Sequence, residues 1–308
     1  PNPVYPLLTG AGVVLRDVSV ANGSGGFDRL TWKVSAEYDV TPDNLLYATV
    51  ETGYRAGGFQ ASSAVIDYDP EFITAYTIGS KNQFAGNTIQ LNLEAFWWKY
   101  RDQQINFFTV SDTGVLSNVI DNVGRSQIRG FDVDAIFKPS WATTLSAKVQ
   151  FLDTEYDDLL LRTAPPRDNF NCPRSNTGET TTDGSPIIEF DCSGNPLLYA
   201  PKWTVNLSAE HIVPLSENLE LVGTVYTAWR DEQWGGFNYQ PFQLIPANWN
   251  SGANLTLRNA EDDWYISAYV TNIEGGRNFS FPQVAPVGFA TTTYTAPRTY
   301  GVRLGATF

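Results

Sequence analysis

The stretch R-T-Y-G-V-R-L-G-A-T-F, Arg298 to Phe308, ends the chain and alternates between two kinds of side chain. In a β-strand, successive side chains point to opposite faces of the sheet. One face therefore carries only apolar side chains, which are Tyr300, Val302, Leu304, Ala306 and Phe308. The other carries polar, small or charged ones, which are Thr299, Gly301, Arg303, Gly305 and Thr307. This alternation favours a strand whose apolar face lies against lipid.

This ending resembles the C-terminal signal of bacterial outer-membrane barrels, in which a closing strand ends in an aromatic residue. The residues that carry the resemblance are Tyr300, Val302, Leu304 and Phe308. A strand of a soluble β-sandwich shows the same alternation, so the ending alone leaves both alternatives open.

Composition limits the class of protein. The 33 acidic side chains outnumber the 20 basic ones and give a net charge of -13, which repels phosphates and excludes a nucleic-acid partner. The 25 glycines, 18 prolines and 14% aromatic residues favour short strands and turns over helices. No apolar run reaches the roughly 18 to 20 residues of a transmembrane helix. If the chain crosses a membrane, it does so as a β-barrel.

Alternating segments separated by turn residues predict eleven strands between residues 28 and 308, two of which are 87–108 and 117–138. Residues 1–27 have no regular pattern, and we expect a loop or a partial strand entering the barrel. Short turns are predicted at 41–44, 85–87, 139–141, 214–218 and 259–263. Longer loops are predicted between them, at 56–70, 109–117, 157–201, 233–245 and 273–296.

The strict alternation of short and long connections places all the long loops at one end. Outer-membrane barrels have short periplasmic turns and long extracellular loops. The pattern therefore predicts a transmembrane antiparallel barrel whose long loops are extracellular and whose C-terminus is periplasmic. The predicted location is the cell outer membrane.

Charged side chains fall on one face of the predicted strands. A lysine or arginine that faces lipid at mid-bilayer costs about 2 to 4 kcal/mol, so this face is expected to line a wet lumen. The predicted lumen-facing residues are Glu51, Arg55, Asp132, Asp134, Lys148, Glu210 and Arg303. The tryptophans near turns or strand ends, Trp32, Trp141, Trp203 and Trp264, are expected in an interfacial girdle.

Several segments together resemble TonB-dependent outer-membrane receptors. One is G-Y-R-A-G-G-F-Q at 53–60, which looks like the end of a barrel strand in many of these receptors. All the segments occur in family order along the chain. The others are L-L-Y-A-T-V-E-T at 45–52, Y-D-P-E at 68–71, A-Y-T-I-G-S-K at 75–81, G-R-S-Q-I-R-G-F-D-V-D at 124–134, A-P-K-W-T at 200–204, V-T-N-I-E at 270–274 and P-R-T-Y-G-V-R-L at 297–304. The resemblance covers residues 28–308.

The resemblance implies a 22-stranded barrel with an N-terminal plug in its lumen. Such a receptor binds a scarce ligand outside, a siderophore, an oligosaccharide or a similar molecule, and imports it with energy transmitted by TonB. This chain shows neither a plug nor a TonB box, and eleven strands are half of 22. We therefore expect the C-terminal half of such a barrel. Its expected partners are the N-terminal half with its plug, the TonB complex acting through that part, a small-molecule ligand and membrane lipid. The alternative is a closed pore of about twelve strands with residues 10–20 as the first.

Both cysteines, Cys172 and Cys192, fall in the longest loop. In an exported chain they most simply form a disulfide, which stabilises by roughly 3 kcal/mol on the chain-entropy estimate. A metal pair is disfavoured because neither a histidine nor a third cysteine is near. No metal site and no cofactor are expected.

The loop at 230–249 combines aromatic side chains with charged ones. Trp234, Phe237, Tyr239 and Phe242 beside Arg230 and Asp231 suit stacking and hydrogen bonding to a sugar or an aromatic chelator. The same aromatic residues could instead pack this loop against its neighbours. A second polar group, the acidic residues Asp153, Glu155, Asp157 and Asp158, favours a solvated outer rim or one that bridges divalent ions to lipopolysaccharide.

An enzyme is not expected. The chain has no G-x-S-x-G element and no phosphate-binding loop, and His211 is its only histidine. The pair Asp132 and Asp134 leaves open a different class, a secreted β-rich glycosidase or carbohydrate-binding protein.

Overall fold

Eleven strands form one antiparallel sheet in which each strand pairs with the next one along the chain. The structure, a computed structural model, describes residues 25–60, 67–110, 116–122, 124–165, 169–261, 263–284 and 289–306. The strands are β1 (Lys33–Thr41), β2 (Asn44–Arg55), β3 (Glu71–Phe84), β4 (Ile89–Arg101), β5 (Arg125–Ser140), β6 (Thr143–Asp158), β7 (Trp203–Ser216), β8 (Leu219–Arg230), β9 (Asn248–Asn259), β10 (Trp264–Thr271) and β11 (Thr299–Ala306). The predicted all-β fold and its eleven strands are confirmed. Residues 10–20 and Phe308, used in two of the predictions, lie outside the described residues.

Short and long connections alternate along this sheet. The short ones span 42–43, 85–88, 141–142, 217–218 and 260–263. The long ones are loops 56–70, 102–124, 159–202, 231–247 and 272–298. Successive hairpin connections of an up-and-down sheet lie at opposite ends. All the long loops therefore lie at one end, the loop end, and all the short turns at the other, the turn end.

One face of the sheet is apolar along most of its height. On β6 it reads Leu145, Ala147, Val149 and Phe151 from the turn end, and then Asp153. Phe131, Phe151 and Trp203 stand directly opposite one another on β5, β6 and β7, with ring centroids 4.8 to 5.8 Å apart. Tyr76 with Trp97 and Trp229 with Trp249 pair in the same way on other strands. In outer-membrane barrels, such rows of rings lie at the interface where the apolar band meets water and headgroups.

The predicted girdle tryptophans divide between the two ends. Trp203 belongs to the row near the loop end, and Trp32 precedes β1 at the same end. Trp141 lies in the turn before β6 and Trp264 begins β10, both at the turn end. All four remain exposed or partly exposed, as interfacial side chains are.

Within the described residues, β1 and β11 each have one edge that pairs with no strand. Every residue of β1 is exposed. Val302 and Leu304 of β11 are 67% and 74% exposed. An unpaired backbone edge inside a bilayer costs several kcal/mol for each unsatisfied group. In a bilayer, both edges of the described sheet would therefore need a pairing strand.

Two strand predictions were too long. The segments 87–108 and 117–138 were each predicted as one strand, but β4 ends at Arg101 and β5 begins at Arg125. Between them, Gln104–Val110 pairs with Leu116–Asn122 in a separate hairpin. The breaks fall at Asp102 (φ 54°) and Gly124 (φ 83°), whose left-handed backbone cannot continue a strand. A Cβ on Gly124 would lie 1.5 Å from the carbonyl oxygen of Asp158, so glycine is required there.

The described residues contain a single helix, the 3-10 turn Pro241–Gln243. None of the described helices has the length and apolar character needed to span a bilayer.

Candidate functional site

The loop end carries a hydrophobic cluster built by loops 102–124, 159–202 and 231–247 with the end of β6. Its buried members are Ile105, Phe107, Val119, Tyr156, Leu159, Leu161, Phe190, Cys192, Leu197 and Tyr239. The eleven-stranded sheet itself buries few side chains. The three loops therefore pack as a small folded unit, here called the loop core.

Tyr239 lies at the centre of the loop core and is 1% exposed. Its hydroxyl donates to the carbonyl of Pro196 at 2.9 Å, and its ring contacts Trp234 edge-on with centroids 5.4 Å apart. The Asn171 carboxamide donates to the Tyr239 carbonyl at 3.1 Å. Burial raises the pKa of the phenol, so the hydroxyl remains protonated. Tyr239 thus joins loop 231–247 to loop 159–202, and its side chain is not available to a ligand.

A disulfide and a three-stranded sheet give loop 159–202 its own framework. Leu160–Thr163 and Arg174–Thr180 pair with the two edges of Pro186–Asp191. The predicted disulfide is confirmed: Cys172 and Cys192 are bonded, with Cα atoms 5.2 Å apart. Phe170 packs on Phe190 beside it, with centroids 5.0 Å apart. The bond fixes the loop against the core of the unit.

Removing the disulfide is expected to loosen loop 159–202. Closing 20 residues stabilises by about 3 kcal/mol, so the double variant Cys172→Ala with Cys192→Ala should be cleaved by trypsin at the exposed Arg174 about a hundredfold faster than wild type. Wild-type protein treated with reductant should behave like the variant. Equal cleavage rates in all three samples would contradict a stabilising role for the bond.

A cavity of about 310 Å³ opens between loops 102–124, 159–202, 231–247 and 272–298. Its walls combine aromatic rings with carboxamides and the backbone of two glycines. The rings belong to Phe107, Phe108, Phe170, Tyr199, Phe237 and Phe281, and the carboxamides to Asn106, Asn238 and Gln243. We call it the loop-end cavity.

A second cavity, of about 280 Å³, lies beside it and is charged. It is lined by residues that include Asp153, Lys202, Asp231, Glu232 and Trp234. The two cavities thus differ in chemistry although the same loops form parts of both.

The six residues predicted to bind ligand are brought to the loop end but not to one surface. Phe237 lines the loop-end cavity, whereas Asp231 and Trp234 line the charged one. Arg230 ends β8 on its polar face, and Phe242 is 41% exposed on the 3-10 turn. Tyr239 is buried in the loop core, so its predicted contact with ligand is replaced by a packing role. For the other five, ligand binding stays a prediction.

Three residues that line the loop-end cavity, Tyr199, Phe281 and Asn106, were not predicted from the sequence. They belong to three different loops and have no shared spacing. Only Tyr199 lies beside a recognisable segment, A-P-K-W-T at 200–204. Long-range packing, which a local pattern does not encode, brings them together.

Loop 272–298 is held at its base by polar contacts. Arg298 donates to the carbonyl of Ile273 at 2.6 Å, and Asn272 donates to the carbonyls of Gly276 and Ala296, both at 2.9 Å. The Glu274 carboxylate accepts the backbone N–H of Ser251 at 2.9 Å. This base positions Phe281 at the rim of the loop-end cavity.

Low pH is expected to loosen the hydrogen bonds that hold the two ends of loop 272–298. Hydrogen bonds from Ser251, and then the charge of Arg298, lower the pKa of Glu274 from 4.5. Because the pKa is lower in the folded state, the contacts of the ionised Glu274 stabilise the loop fully above pH 4.5. This stabilisation is lost as the pH falls below that value. Hydrogen exchange at Ser251, corrected for its intrinsic rate, should therefore lose protection below about pH 4.5 in wild type but change little with pH in Glu274→Gln. Identical pH profiles for the two proteins would contradict this anchor.

The seven predicted lumen residues share the polar face of the sheet. Glu51 lies 3.5 Å from Lys33, and Lys148 lies 3.1 Å from Asp134 across β5 and β6. Arg303 lies over the Tyr269 ring, 4.5 Å from its centroid. The remaining members are Arg55, Asp132 and Glu210, which share this face by register. That the polar face lines a lumen stays a prediction.

In the described parts of the chain, no group of three or more histidine, cysteine or acidic side chains is arranged to hold a metal ion. His211 lies near the turn end of β7, with Nδ1 2.9 Å from the Thr143 hydroxyl. Of the acidic rim residues, Asp158 lies 3.7 Å from Arg125, and Asp157 accepts from Gln127 at 2.6 Å.

The solved structures that share this fold include three receptors or transporters. The ferric yersiniabactin uptake receptor FyuA from Yersinia pestis matches with a TM-score of 0.65 and 15% identity, over 88% of this chain and 36% of its own. The siderophore receptor PiuA from Acinetobacter baumannii matches with 0.62 and 16%, over 89% and 35%. The ferric citrate transporter FecA matches with 0.60 and 14%, over 89% and 37%. The chain thus spans little more than a third of each.

The sequence itself matches a family described as TonB dependent receptor-like, beta-barrel, over residues 7–303. This match covers almost the whole chain and confirms the resemblance drawn from its segments. The family is one of transport receptors, not of enzymes, so the match favours a receptor over the alternative of a secreted glycosidase or carbohydrate-binding protein. The chain belongs to the β-barrel family of TonB-dependent outer-membrane receptors.

Proposed function

We propose that this chain is the C-terminal half of the barrel of an active-transport receptor, which binds a scarce ligand at its extracellular loops and imports it with energy transmitted by TonB. The observation that carries the proposal is the loop core. Barrel loops that serve only as connections need no hydrophobic core, whereas these pack together around a cavity at one end of the sheet. Preorganised loops of this kind suit ligand capture.

The free edges of the sheet support the half-barrel. Pairing the edges of β1 and β11 with an N-terminal half would satisfy the backbone groups that lipid cannot. The polar face, with Glu51, Asp132 and Asp134 among its charges, would then surround a plug. The plug and the N-terminal half would make the contact with TonB.

The membrane partners follow from the two ends and the apolar face. The apolar face would contact lipid, and the acidic rim of Asp153, Glu155 and Asp157 would approach lipopolysaccharide through divalent ions.

Among the predicted ligand residues, Arg230, Asp231, Trp234, Phe237 and Phe242 would contact the ligand or shape its entry. The neighbours include a ferric yersiniabactin receptor and a siderophore receptor, so an iron chelate is one ligand class to test.

Orientation is tested by labelling two single cysteine variants in intact cells with a membrane-impermeant maleimide, without reductant. Glu179→Cys lies in exposed loop 159–202, and Glu217→Cys lies in an exposed turn at the opposite end. We expect Glu179→Cys to be labelled at once and Glu217→Cys only after the outer membrane is permeabilised. The reverse order would contradict extracellular loops and a periplasmic C-terminus.

Transport is tested by uptake of a radiolabelled ferric catecholate chelate and a radiolabelled neutral oligosaccharide. Cells that express the full receptor are compared with and without functional TonB. We expect one of the two compounds to accumulate only when TonB functions. Equal accumulation in both strains would instead identify a passive pore, and no receptor-dependent accumulation of either compound would also contradict the proposal.

A further inference from the structure

We infer that the loop-end cavity binds an uncharged saccharide ring and not an anionic iron chelate. The inference rests on the proposed function, because it names the ligand class of the same loop end. Three observations carry it: the charge of the cavity, the two rings at its rim and its free carboxamide.

Among the residues that the structure describes, the lining of the loop-end cavity contains no charged side chain. A site for an anion needs cations or a set of N–H donors, because an uncompensated charge removed from water costs many kcal/mol. The chain as a whole carries a net charge of -13, which adds repulsion. In contrast, the neighbouring cavity contains Lys202 beside three carboxylates. The loop-end cavity therefore selects against an anionic ligand.

Two parallel rings form its rim. Tyr199 and Phe281 are 43% and 47% exposed, their planes differ by 5°, and their centroids are 6.3 Å apart. The Tyr199 hydroxyl donates to the carbonyl of Gly235 at 3.0 Å, which holds that ring in place. A pyranose ring has C–H groups on its faces and hydroxyls on its edge, so it can stack on an aromatic platform while it hydrogen-bonds beside it.

The carboxamides supply the polar contacts. The Asn106 side chain is exposed and makes no hydrogen bond among the described residues. A carboxamide both donates and accepts, as a sugar hydroxyl does. Gln243, 2% exposed, reaches the wall only because residue 236 is glycine, since a Cβ there would lie 2.1 Å from its Nε2. The free carboxamide of Asn106 thus matches a neutral hydroxyl, whereas those of Asn238 and Gln243 already pair with Asn169 and with the Gln240 backbone.

The size of the cavity agrees with this class of ligand. Its volume of about 310 Å³ is at the lower end of the range for ligand sites, about 300 to 1,000 Å³. It is suited to one or two saccharide rings at the end of a longer chain and is small for a ferric chelate with its full set of ligand arms.

The test is saturation-transfer NMR with the full receptor in detergent. The first probes are the methyl α- and β-glycosides of glucose, galactose and mannose. The second is an anionic gallium tris-catecholate, which stands in for the ferric complex. The third is methoxycyclohexane, a ring without sugar hydroxyls. We expect saturation transfer to the ring protons of at least one glycoside. We expect no saturation transfer to either of the other two probes.

The matched variants locate the binding. Phe281→Leu keeps an apolar side chain but removes the rim ring, and Asn106→Ala removes the free carboxamide; each should weaken glycoside binding about tenfold. Phe289→Leu, in the same loop and 55% exposed but outside the cavity, should leave binding unchanged. Equal mobility in unboiled gels would show that all three variants are folded.

The inference would be overturned if no glycoside bound, or if methoxycyclohexane bound as well as the glycosides. It would also be overturned if the catecholate analogue bound and Phe281→Leu weakened that binding. Glycoside binding that neither Phe281→Leu nor Asn106→Ala changed would overturn it too. The proposed function is tested separately by TonB-dependent uptake. If the receptor imports the ferric chelate in a TonB-dependent manner while no glycoside binds, the transport function stands and the saccharide inference is wrong.

Discussion

Val225→Arg is expected to destabilise the barrel by about 2 to 4 kcal/mol, because an arginine on the lipid face at mid-bilayer loses its hydration. Val225 is 55% exposed on the apolar face of β8, between Leu221 and Trp229. The full receptor in lipid vesicles is titrated with urea, and the folded fraction is read from its mobility in unboiled gels. The titration measures the change in the free energy of unfolding.

The control for this variant is the next residue. Thr224 lies on the polar face, and its hydroxyl lies 3.4 Å from the Glu210 carboxylate, so Thr224→Arg places the new cation beside an anion. We expect it to change stability by less than about 1 kcal/mol. Equal destabilisation by the two arginines would contradict the assignment of the apolar face to lipid.

Tyr239→Ala is expected to open the loop core. Removing a fully buried aromatic side chain costs about 3 to 5 kcal/mol, and here the hydrogen bond to Pro196 is lost as well. The loops should become more sensitive to trypsin by about two orders of magnitude or more, while the barrel keeps its gel mobility.

Phe242→Ala is the matched control for Tyr239→Ala. Phe242 belongs to the same loop but is 41% exposed, so its removal should change the cleavage rate by only a few fold. If Tyr239→Ala left the loops as resistant as wild type, Tyr239 would not hold the loops together. The predicted binding role of its ring would then return as the alternative.

The barrel strands could be predicted from the sequence because lipid and water impose a rule on every second residue. On β6, for example, Leu145, Ala147 and Val149 on one face and Lys148 and Gln150 on the other determine both the strand and its orientation. The turns between the strands follow from short polar segments. A local pattern is sufficient where the environment is the same along the whole strand.

The ends of β4 and β5 show where this rule stops. Alternation continues through Ile105 and Phe107, but there it buries side chains in the loop core instead of facing lipid. The same pattern serves both environments, so the breaks at Asp102 and Gly124 were missed. They depend on packing against other loops.

The candidate site was only partly predictable for a related reason. Aromatic residues in loop 231–247 were correctly placed at the loop end, but whether a ring faces a cavity or a core depends on distant partners. Tyr239 meets Pro196, and Phe281 meets Tyr199, at sequence separations that no period connects. The disulfide was predictable because the chain has only two cysteines.

The central claim, that eleven strands complete a larger barrel, is tested most directly by the intact mass of the polypeptide purified from its native membrane under reducing conditions. These 308 residues amount to 34.1 kDa. We predict a chain of roughly two to three times that mass, because about eleven further strands are needed to close the sheet and the proposed receptor also has a plug in its lumen. A mass near 34.1 kDa, with no partner chain, would contradict the half-barrel and favour a small closed pore.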